Sequence, residues 1–238
     1  MKTKIVVMSG KGGVGKSTIT SLLAIHLARG GKKVGIFDCD FLGPSIPKIF
    51  GVESETIKTN ENAIYPVASR KFKIKIMSSY FFLPEKNKPL IWRGPLISKT
   101  MLDLLSKTEW GPLDYLLFDL PPGTSDVPLT LLQEVKPEKV IIVSTPQELA
   151  ASIVEKAINM AKMLNAEVAG IVENMSLYEC PNCGYKNYLF GKGKAGELAK
   201  KYDISYFVEI PLDPQLSKLG DEGRIEDYEK LLFEFLEI

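Results

Sequence analysis

Ser9-Gly10-Lys11-Gly12-Gly13-Val14-Gly15-Lys16-Ser17-Thr18 decides the reading of this chain. An apolar run, Ile5-Val6-Val7-Met8, comes immediately before it, and a helical pattern from Ile19 to Ala28 follows. Gly10, Gly15, Lys16 and Ser17 fit the spacing G-x-x-x-x-G-K-[ST], in the strand–loop–helix setting that this phosphate-binding loop requires. Glycines take left-handed torsions and let backbone N–H groups approach phosphate oxygens. The helix opening near Gly15 aims unpaired N–H groups and a positive dipole end at the anion. On this reading Lys16 reaches the β- and γ-phosphates and the Ser17 hydroxyl binds Mg²⁺. A glycine-rich turn that binds nothing is the bland alternative. Spacing, lysine, hydroxyl and flanking elements together speak against it.

Outward from the loop, the first helix ends at Gly30-Gly31 and Val34–Phe37 forms a second buried strand, so residues 4–38 make a right-handed βαβ unit. Asp38-Cys39-Asp40 follows at the carboxyl end of that strand, the edge where open α/β sheets bind ligands. Two carboxylates there can orient water or hold a Mg²⁺ shell. Leu113–Phe118 is a further buried strand, ending in Asp119-Leu120-Pro121-Pro122-Gly123-Thr124-Ser125-Asp126. An acid after an apolar strand is the Walker B arrangement, which supports Mg²⁺. Gly123 lets a backbone N–H approach the γ-phosphate.

The remaining pattern alternates in the same way. Gly43–Pro47 turns into a short helix up to Phe50, and residues 51–62 read as irregular. Ala63–Val67 and Lys73–Met77 read as a half-exposed antiparallel edge hairpin, because Lys73, Ile74, Lys75 and Ile76 alternate. Phe81–Lys88 reads as a loop, and Trp92-Arg93-Gly94-Pro95 leads into a helix to about Leu105. Val140–Ser144 is a strand, followed after Thr145-Pro146-Gln147-Glu148 by a helix from about Leu149 to Leu164. Val168–Val172 is a strand ending at Glu173-Asn174-Met175, where the Asn174 amide can read adenine because it both donates and accepts. Helix 193–202, strand 206–210 and the loop Pro211-Leu212-Asp213-Pro214 come next, the loop lying where a base can pack. A short helix near Leu216 and an acidic helix from about Arg224 to Ile238 complete the chain. The whole implies one α/β domain over residues 1–238, with a mostly parallel central sheet and helices on both faces.

Composition narrows the function classes. The 238 residues suffice for one substantial core, and a net charge of +1 gives no sign of a general nucleic-acid surface. The apolar runs are too short for a membrane span, and an acidic final helix suits an anionic membrane poorly. Met1-Lys2-Thr3-Lys4 runs straight into a strand without a secretory apolar segment, so a cytoplasmic location is expected. His26 is the only histidine, which excludes a metal cluster built from several histidines of one chain.

Three cysteines, Cys39, Cys180 and Cys183, do not make a disulfide framework. Cys39 reads as a small buried side chain. Cys180-Pro181-Asn182-Cys183-Gly184 sits in a loop at about 176–190, flanked by Tyr178, Tyr185 and Tyr188. Two thiolates at that spacing can share one metal, but tetrahedral zinc or a cubane iron–sulfur cluster needs four ligands. A two-fold dimer would supply the missing pair. A zinc knuckle completed by a partner and a redox dithiol remain open on the residues alone.

Lys11, beside the first glycine, resembles the signature lysine of the deviant Walker A proteins MinD, ParA, ArsA and nitrogenase iron protein. Taken with Asp38–Pro47, Trp92–Pro95, Asp114–Asp126, Ser144–Gln147, Gly170–Ser176, Cys180–Gly184 and Phe190–Gly193, the chain resembles the Mrp/ApbC family of iron–sulfur carrier ATPases from end to end. Neither the extra N-terminal domain of many bacterial relatives nor the N-terminal cysteine cluster of some eukaryotic ones is in this sequence. The resemblance implies a homodimer that binds ATP and Mg²⁺, hydrolyses ATP slowly, and delivers a cluster to recipient apoproteins. It implies a 4Fe–4S cluster bridged by Cys180 and Cys183 of each subunit. It makes Lys11 a trans-acting lysine and Lys16 the cis one. Asp40 positions water, Ser17, Asp38 and Asp119 serve Mg²⁺, and Asn174, Pro211 and Asp213 bind adenine. The nucleotide contacts so expected run through Gly10, Lys11, Gly12, Gly13, Val14, Gly15, Lys16, Ser17 and Thr18, with Gly123. The alternatives are a MinD/ParA-like positioning switch and a zinc-bridged ATPase.

Overall fold

The computed structural model describes residues 2–61, 63–82, 94–123, 126–230 and 233. Trp92, Arg93, Thr124, Ser125 and the loop expected over 83–88 lie outside the described residues. The first half contains β1 (Thr3–Ser9), α1 (Lys16–Arg29), β2 (Val34–Asp38), α2 (Ile46–Ile49), β3 (Lys58–Thr59), β4 (Ile64–Tyr65), β5 (Val67–Ala68), β6 (Lys75–Ser78) and α3 (Gly94–Lys107). The second half contains β7 (Tyr115–Asp119), α4 (Asp126–Val135), β8 (Lys139–Ser144), α5 (Glu148–Met163), β9 (Glu167–Asn174), β10 (Tyr178–Glu179), β11 (Lys186–Asn187), α6 (Ala195–Lys201), β12 (Tyr206–Ile210) and α7 (Pro214–Asp221).

The central sheet has the order β12-β9-β8-β1-β7-β2-β6-β5. Among the described residues β5, at one edge, is its only antiparallel strand. Strand alternation splits the core into two layers. Val6 and Met8 of β1 enter one apolar cluster with residues of α3, α4, α5 and α6. Ile5 and Val7 enter the other, with α1, α2 and α7. Helices therefore cover both faces, and the β1 residues Ile5–Met8 are apolar throughout because both faces are buried. His26 packs edge-on to Phe233 at 6.0 Å between ring centres. No helix among the described residues is long and apolar enough to cross a membrane.

Parallel strands bring all their carboxyl ends to one edge. Asp38 and Asp119 are register partners on β2 and β7, and Ser78 of β6 is the partner of Asp38 on the other side. The chain leaves β1 toward β2 and returns later to β8, β9 and β12 on the opposite side. The order therefore reverses at the loop that follows β1, where sheets of this kind bind ligands.

Three expectations from the sequence differ from the fold. The half-exposed hairpin is divided. β4 pairs with β3 outside the main sheet, whereas β6 lies inside it, parallel to β2 and antiparallel to the short β5. Ile74, Ile76 and Met77 are consequently fully buried, and Lys75 is accommodated because its ammonium donates to the Trp110 carbonyl. Residues 51–62, read as irregular, contain β3. The acidic helix expected from Arg224 is a 3-10 turn over Ile225–Asp227, followed by extended backbone at Tyr228. Glu226 turns inward instead of lying on a solvated helix face. Its carboxylate accepts from the Ser69 hydroxyl at 2.7 Å and from the Lys71 and Phe72 N–H groups at 2.8 and 2.9 Å. Residues 231–232 and 234–238 of that expected helix lie outside the described residues.

Candidate functional site

The loop between β1 and α1 is shaped by its glycines and by two neighbouring elements. Gly13 and Gly15 have φ of 77° and 81°, where a side chain is strained. A Cβ at Gly15 would lie 2.3 Å from Asn174 Nδ2, and one at Gly10 would lie 1.7 Å from Ile153 Cγ2 of α5. Asn174, at the end of β9 and 6 % exposed, donates its amide to the Val14 carbonyl at 2.9 Å. Gly123 N–H donates to the Ser9 carbonyl at 2.9 Å, tying the turn after β7 to the start of the loop. A cavity of about 450 Å³ opens over this surface, lined by residues 11–18 together with Asp40, Pro122 and, from α7, Leu216 and Ser217.

Beneath the loop lies a buried charge cluster. Lys16 Nζ is 2.6 Å from Asp119 Oδ1, with side-chain exposures of 6 % and 0 %. Ser17 Oγ donates to Asp119 Oδ2 at 2.5 Å, and Thr20 Oγ1 to Oδ1 at 2.8 Å. Both Asp119 oxygens are thus satisfied by the first turn and a half of α1. Asp38 accepts from the Asp40 N–H at 3.1 Å and the Ser78 hydroxyl at 3.0 Å. Burial, and then the adjacent Asp119 charge, push the Asp38 carboxyl up to about 8, against the pull of Lys16. Two buried acids face one buried ammonium, so the pocket holds one acid more than it can comfortably ionise. Asp40 is held apart, its carboxylate accepting from the Gly43 N–H at 3.0 Å at the cavity wall.

The Asp38 shift has a signed consequence for the metal-free protein. Between the ordinary carboxylate range and pH 8 the folded state keeps a proton that the unfolded chain has released. The contribution of this group to stability therefore declines as pH rises through that window and is flat above about 8. Tm measured in chelator should fall more steeply between about pH 6 and 8 for wild type than for Asp38→Asn. Parallel slopes would show that Asp38 does not titrate there.

A second feature lies at the far end of α7. β10 and β11 form a two-stranded hairpin whose turn carries the cysteines. The turn is closed by Gly184 N–H to the Cys180 carbonyl at 2.8 Å and Cys180 N–H to the Tyr185 carbonyl at 3.0 Å, with Gly184 at φ 69°. Cys180 is half-buried and Cys183 exposed. N–H groups of Asn182 and Cys183, with the Cys183 thiol, hold the Cys180 thiol below its usual range. Cys39 is its opposite, fully buried and pushed up by that burial and by Asp38. Among the described residues no group of three or more His, Cys, Asp and Glu side chains is arranged to hold a metal ion.

Pro211 and Asp213 line a cavity of about 710 Å³ beside Cys180, not the one over the phosphate loop. Asp213 caps α7 by accepting from the Gln215 N–H at 2.9 Å, and also accepts from Tyr228 Oη at 3.0 Å and Lys230 Nζ at 2.6 Å. Burial alone would raise its carboxyl, but these three donors hold it below the usual range.

Three participants escaped the reading of the sequence. Thr20 lies four residues after Lys16, one helical turn, and that spacing was a usable signal. Ser78 meets Asp38 only through the β2–β6 register, which no local pattern carries. Gln147 accepts a hydrogen bond from the Lys11 ammonium, across a sequence separation of 136 residues.

A doubly covered parallel sheet whose loop lysine is buried against a strand-end acid belongs to the P-loop NTPase class. Within that class the chain is a member of the ParA group described as NUBPL iron-transfer P-loop NTPases, whose family model matches residues 1–232. It is 46% identical to an iron-sulfur cluster carrier protein of Methanocaldococcus jannaschii, over 94% of this chain and 77% of that one. It is 44% identical to an iron-sulfur cluster carrier protein of Aquifex aeolicus, again over 94% of this chain, but spans only 61% of that protein. A solved nucleotide-binding protein from Archaeoglobus fulgidus, in complex with ADP and with cobalt found in it, superposes with a TM-score of 0.89 at 54% identity. That match covers 98% of this chain and 91% of the other.

Proposed function

We propose that this protein is an ATP-hydrolysing iron–sulfur carrier that works as a cytoplasmic homodimer, holds a 4Fe–4S cluster between subunits and passes it to recipient apoproteins. The observation that carries the reading is the cysteine turn. Cys180 and Cys183 sit together on a hairpin with the Cys180 thiol biased toward thiolate, yet they are two ligands where a cubane needs four. A second copy related by two-fold symmetry supplies the other two. Tyr185, Leu189 and Phe190, exposed in the segment around and after the turn, supply apolar surface for that contact.

The nucleotide half of the reading rests on the buried cluster. ATP phosphates are taken by the backbone of residues 10–18 and by Lys16, and the Asp40 carboxylate at the cavity wall positions water. The surplus acid at Asp38 fits a divalent cation, which would neutralise what a single lysine does not. Ser17, Asp38 and Asp119 would hold Mg²⁺, whose charge offsets that of the phosphates. Lys11 serves the nucleotide of the partner subunit. Asn174, Pro211 and Asp213 are assigned to the adenine end on the family resemblance alone, since Pro211 and Asp213 open on the cysteine cavity and not on the one over the phosphate loop. α7 has its Asp213 cap beside the cysteine cavity and its body along the nucleotide cavity, and so offers a mechanical path between the two. Because the two core layers share one sheet, residues 1–238 are read as one domain.

Anaerobic reconstitution with iron and sulfide tests the cargo. Wild type should take up about four irons per dimer. Cys180→Ser combined with Cys183→Ser should take up essentially none. Equal uptake by the double variant sinks the cluster assignment. About one zinc per dimer in place of iron would make the turn a structural zinc bridge instead.

A further inference from the structure

The two lysines of the phosphate loop are held in opposite ways. Lys16 is buried against a carboxylate, whereas the Lys11 ammonium, in a half-exposed side chain, donates to the Gln147 side-chain carbonyl. Gln147 is the residue immediately before α5, with extended backbone at φ −55° and ψ 138°, and it follows Pro146. The same helix seats the start of the loop, because Ile153 fills the space where a Cβ on Gly10 would stand. One helix thus fixes both the backbone beside Lys11 and the end of its side chain.

The chemistry of the acceptor matters. A free lysine loses rotamer entropy when its head group is fixed. A hydrogen bond from the charged ammonium offsets that loss and favours one position of the head group. An amide accepts without cancelling charge, so the full positive charge stays available to an anion. An ammonium has three donors, and one bond to Gln147 leaves two free. The bond therefore need not break when phosphate arrives. A carboxylate at the same position would compete with the phosphate as a counter-ion.

We infer that Gln147 is a positioning residue for Lys11, holding its ammonium extended from the loop so that a nucleotide on a second copy meets it already aimed. This rests on the proposed trans role of Lys11 and names the group that sets its geometry. Gln147 is exposed, so its replacement leaves the fold intact.

The test is steady-state ATP turnover of the full chain with Mg²⁺, for wild type, Gln147→Ala, Gln147→Glu, Lys11→Ala and the Lys11→Ala/Gln147→Ala pair. Gln147→Ala should lower kcat by about 10-fold while KM for ATP stays within about 2-fold, since a pre-positioned donor acts in the transition state and not in cis binding. Gln147→Glu, which keeps an acceptor but adds the competing charge, should stay about as slow as Gln147→Ala at low ionic strength and regain part of the loss as salt screens the ion pair. The double variant should be no slower than Lys11→Ala alone, because Gln147 acts through Lys11. Wild-type kcat in Gln147→Ala, a raised kcat, or a further loss in the double variant each overturns the inference while leaving the trans role of Lys11 standing. Wild-type turnover in Lys11→Ala overturns the trans role, and the inference with it.

Discussion

Replacing Asp119 with asparagine is expected to lower ATP turnover by about 100-fold or more and to destabilise the nucleotide-free protein by about 3 kcal/mol. Asp119 is fully buried, and both its oxygens are used, by Lys16 and Thr20 on one side and by Ser17 on the other. An asparagine keeps the shape but not the charge, and its amide nitrogen would face one of these donors. Lys16 would then be a buried cation without its partner, a loss that costs about 3–5 kcal/mol in comparable sites. The lower end applies because Asp38 lies next to Asp119 in register and can become the counter-ion. Asp38 is held protonated by burial and by the Asp119 charge, and removing that charge lets it ionise toward Lys16. The two acids should therefore respond oppositely in the nucleotide-free protein. Asp38→Asn removes the surplus acid and leaves the Lys16 pair intact, so its Tm should equal or exceed that of wild type above pH 8, while Asp119→Asn falls well below it. Thermal unfolding in chelator checks both. Equal losses in the two variants would mean that the cluster does not divide its charge in this way.

Much of this cluster was legible because its members sit at strand ends and at one helix start. Asp38, Asp119 and Lys16 each carry a local signature: an acid closing an apolar run, or a lysine closing a glycine loop. Their convergence required one further fact, that the strands are parallel, and the alternation of strands and helices supplied it. What stayed hidden was set by partners distant in sequence. The alternation over Lys73–Ile76 suggested an edge. It lies inside the sheet because β5 covers its far side and because Lys75 reaches a carbonyl at Trp110. The acidic run after Arg224 suggested a helix with a solvated face. Glu226 instead finds three donors around Ser69–Phe72, and burial with full hydrogen bonding outweighs a weak helical preference. Gln147 closes one of the stretches that carry the family resemblance, yet nothing local gave it a role, since an exposed glutamine before a helix is ordinary. Only the fold brings it to Lys11.

Lys11→Ala is expected to reduce turnover by about 1,000-fold or more, the scale on which a cation supplied in trans accelerates phosphoryl transfer. Nucleotide affinity should change little, because cis binding falls to Lys16 and to the backbone N–H groups of the loop. The loss alone does not separate a trans lysine from a cis one, but mixing does. Asp40→Ala, which removes the proposed water-positioning carboxylate, should also be nearly inactive while retaining Lys11 and nucleotide binding. In a heterodimer the Lys11→Ala subunit keeps its own Asp40 and receives Lys11 from its Asp40→Ala partner, which rebuilds one complete site. In an equal mixture half the dimers are mixed and each has one such site, so activity should recover to about a quarter of wild type once the subunits have exchanged. If Lys11 acted on its own subunit's nucleotide, every site in the mixture would lack one group and no activity would return. Recovery should depend on total protein concentration as dimer formation does, and should vanish when Cys180 and Cys183 are left intact but the mixture is diluted below the dimer's Kd. On the proposed reading two copies are required twice over, by a half-complete cysteine site and by a lysine that is not spent on its own subunit's acids. The mixing experiment asks whether these are one requirement: if they are, the protein concentration that restores turnover is the one at which iron–sulfide uptake reaches half its maximum.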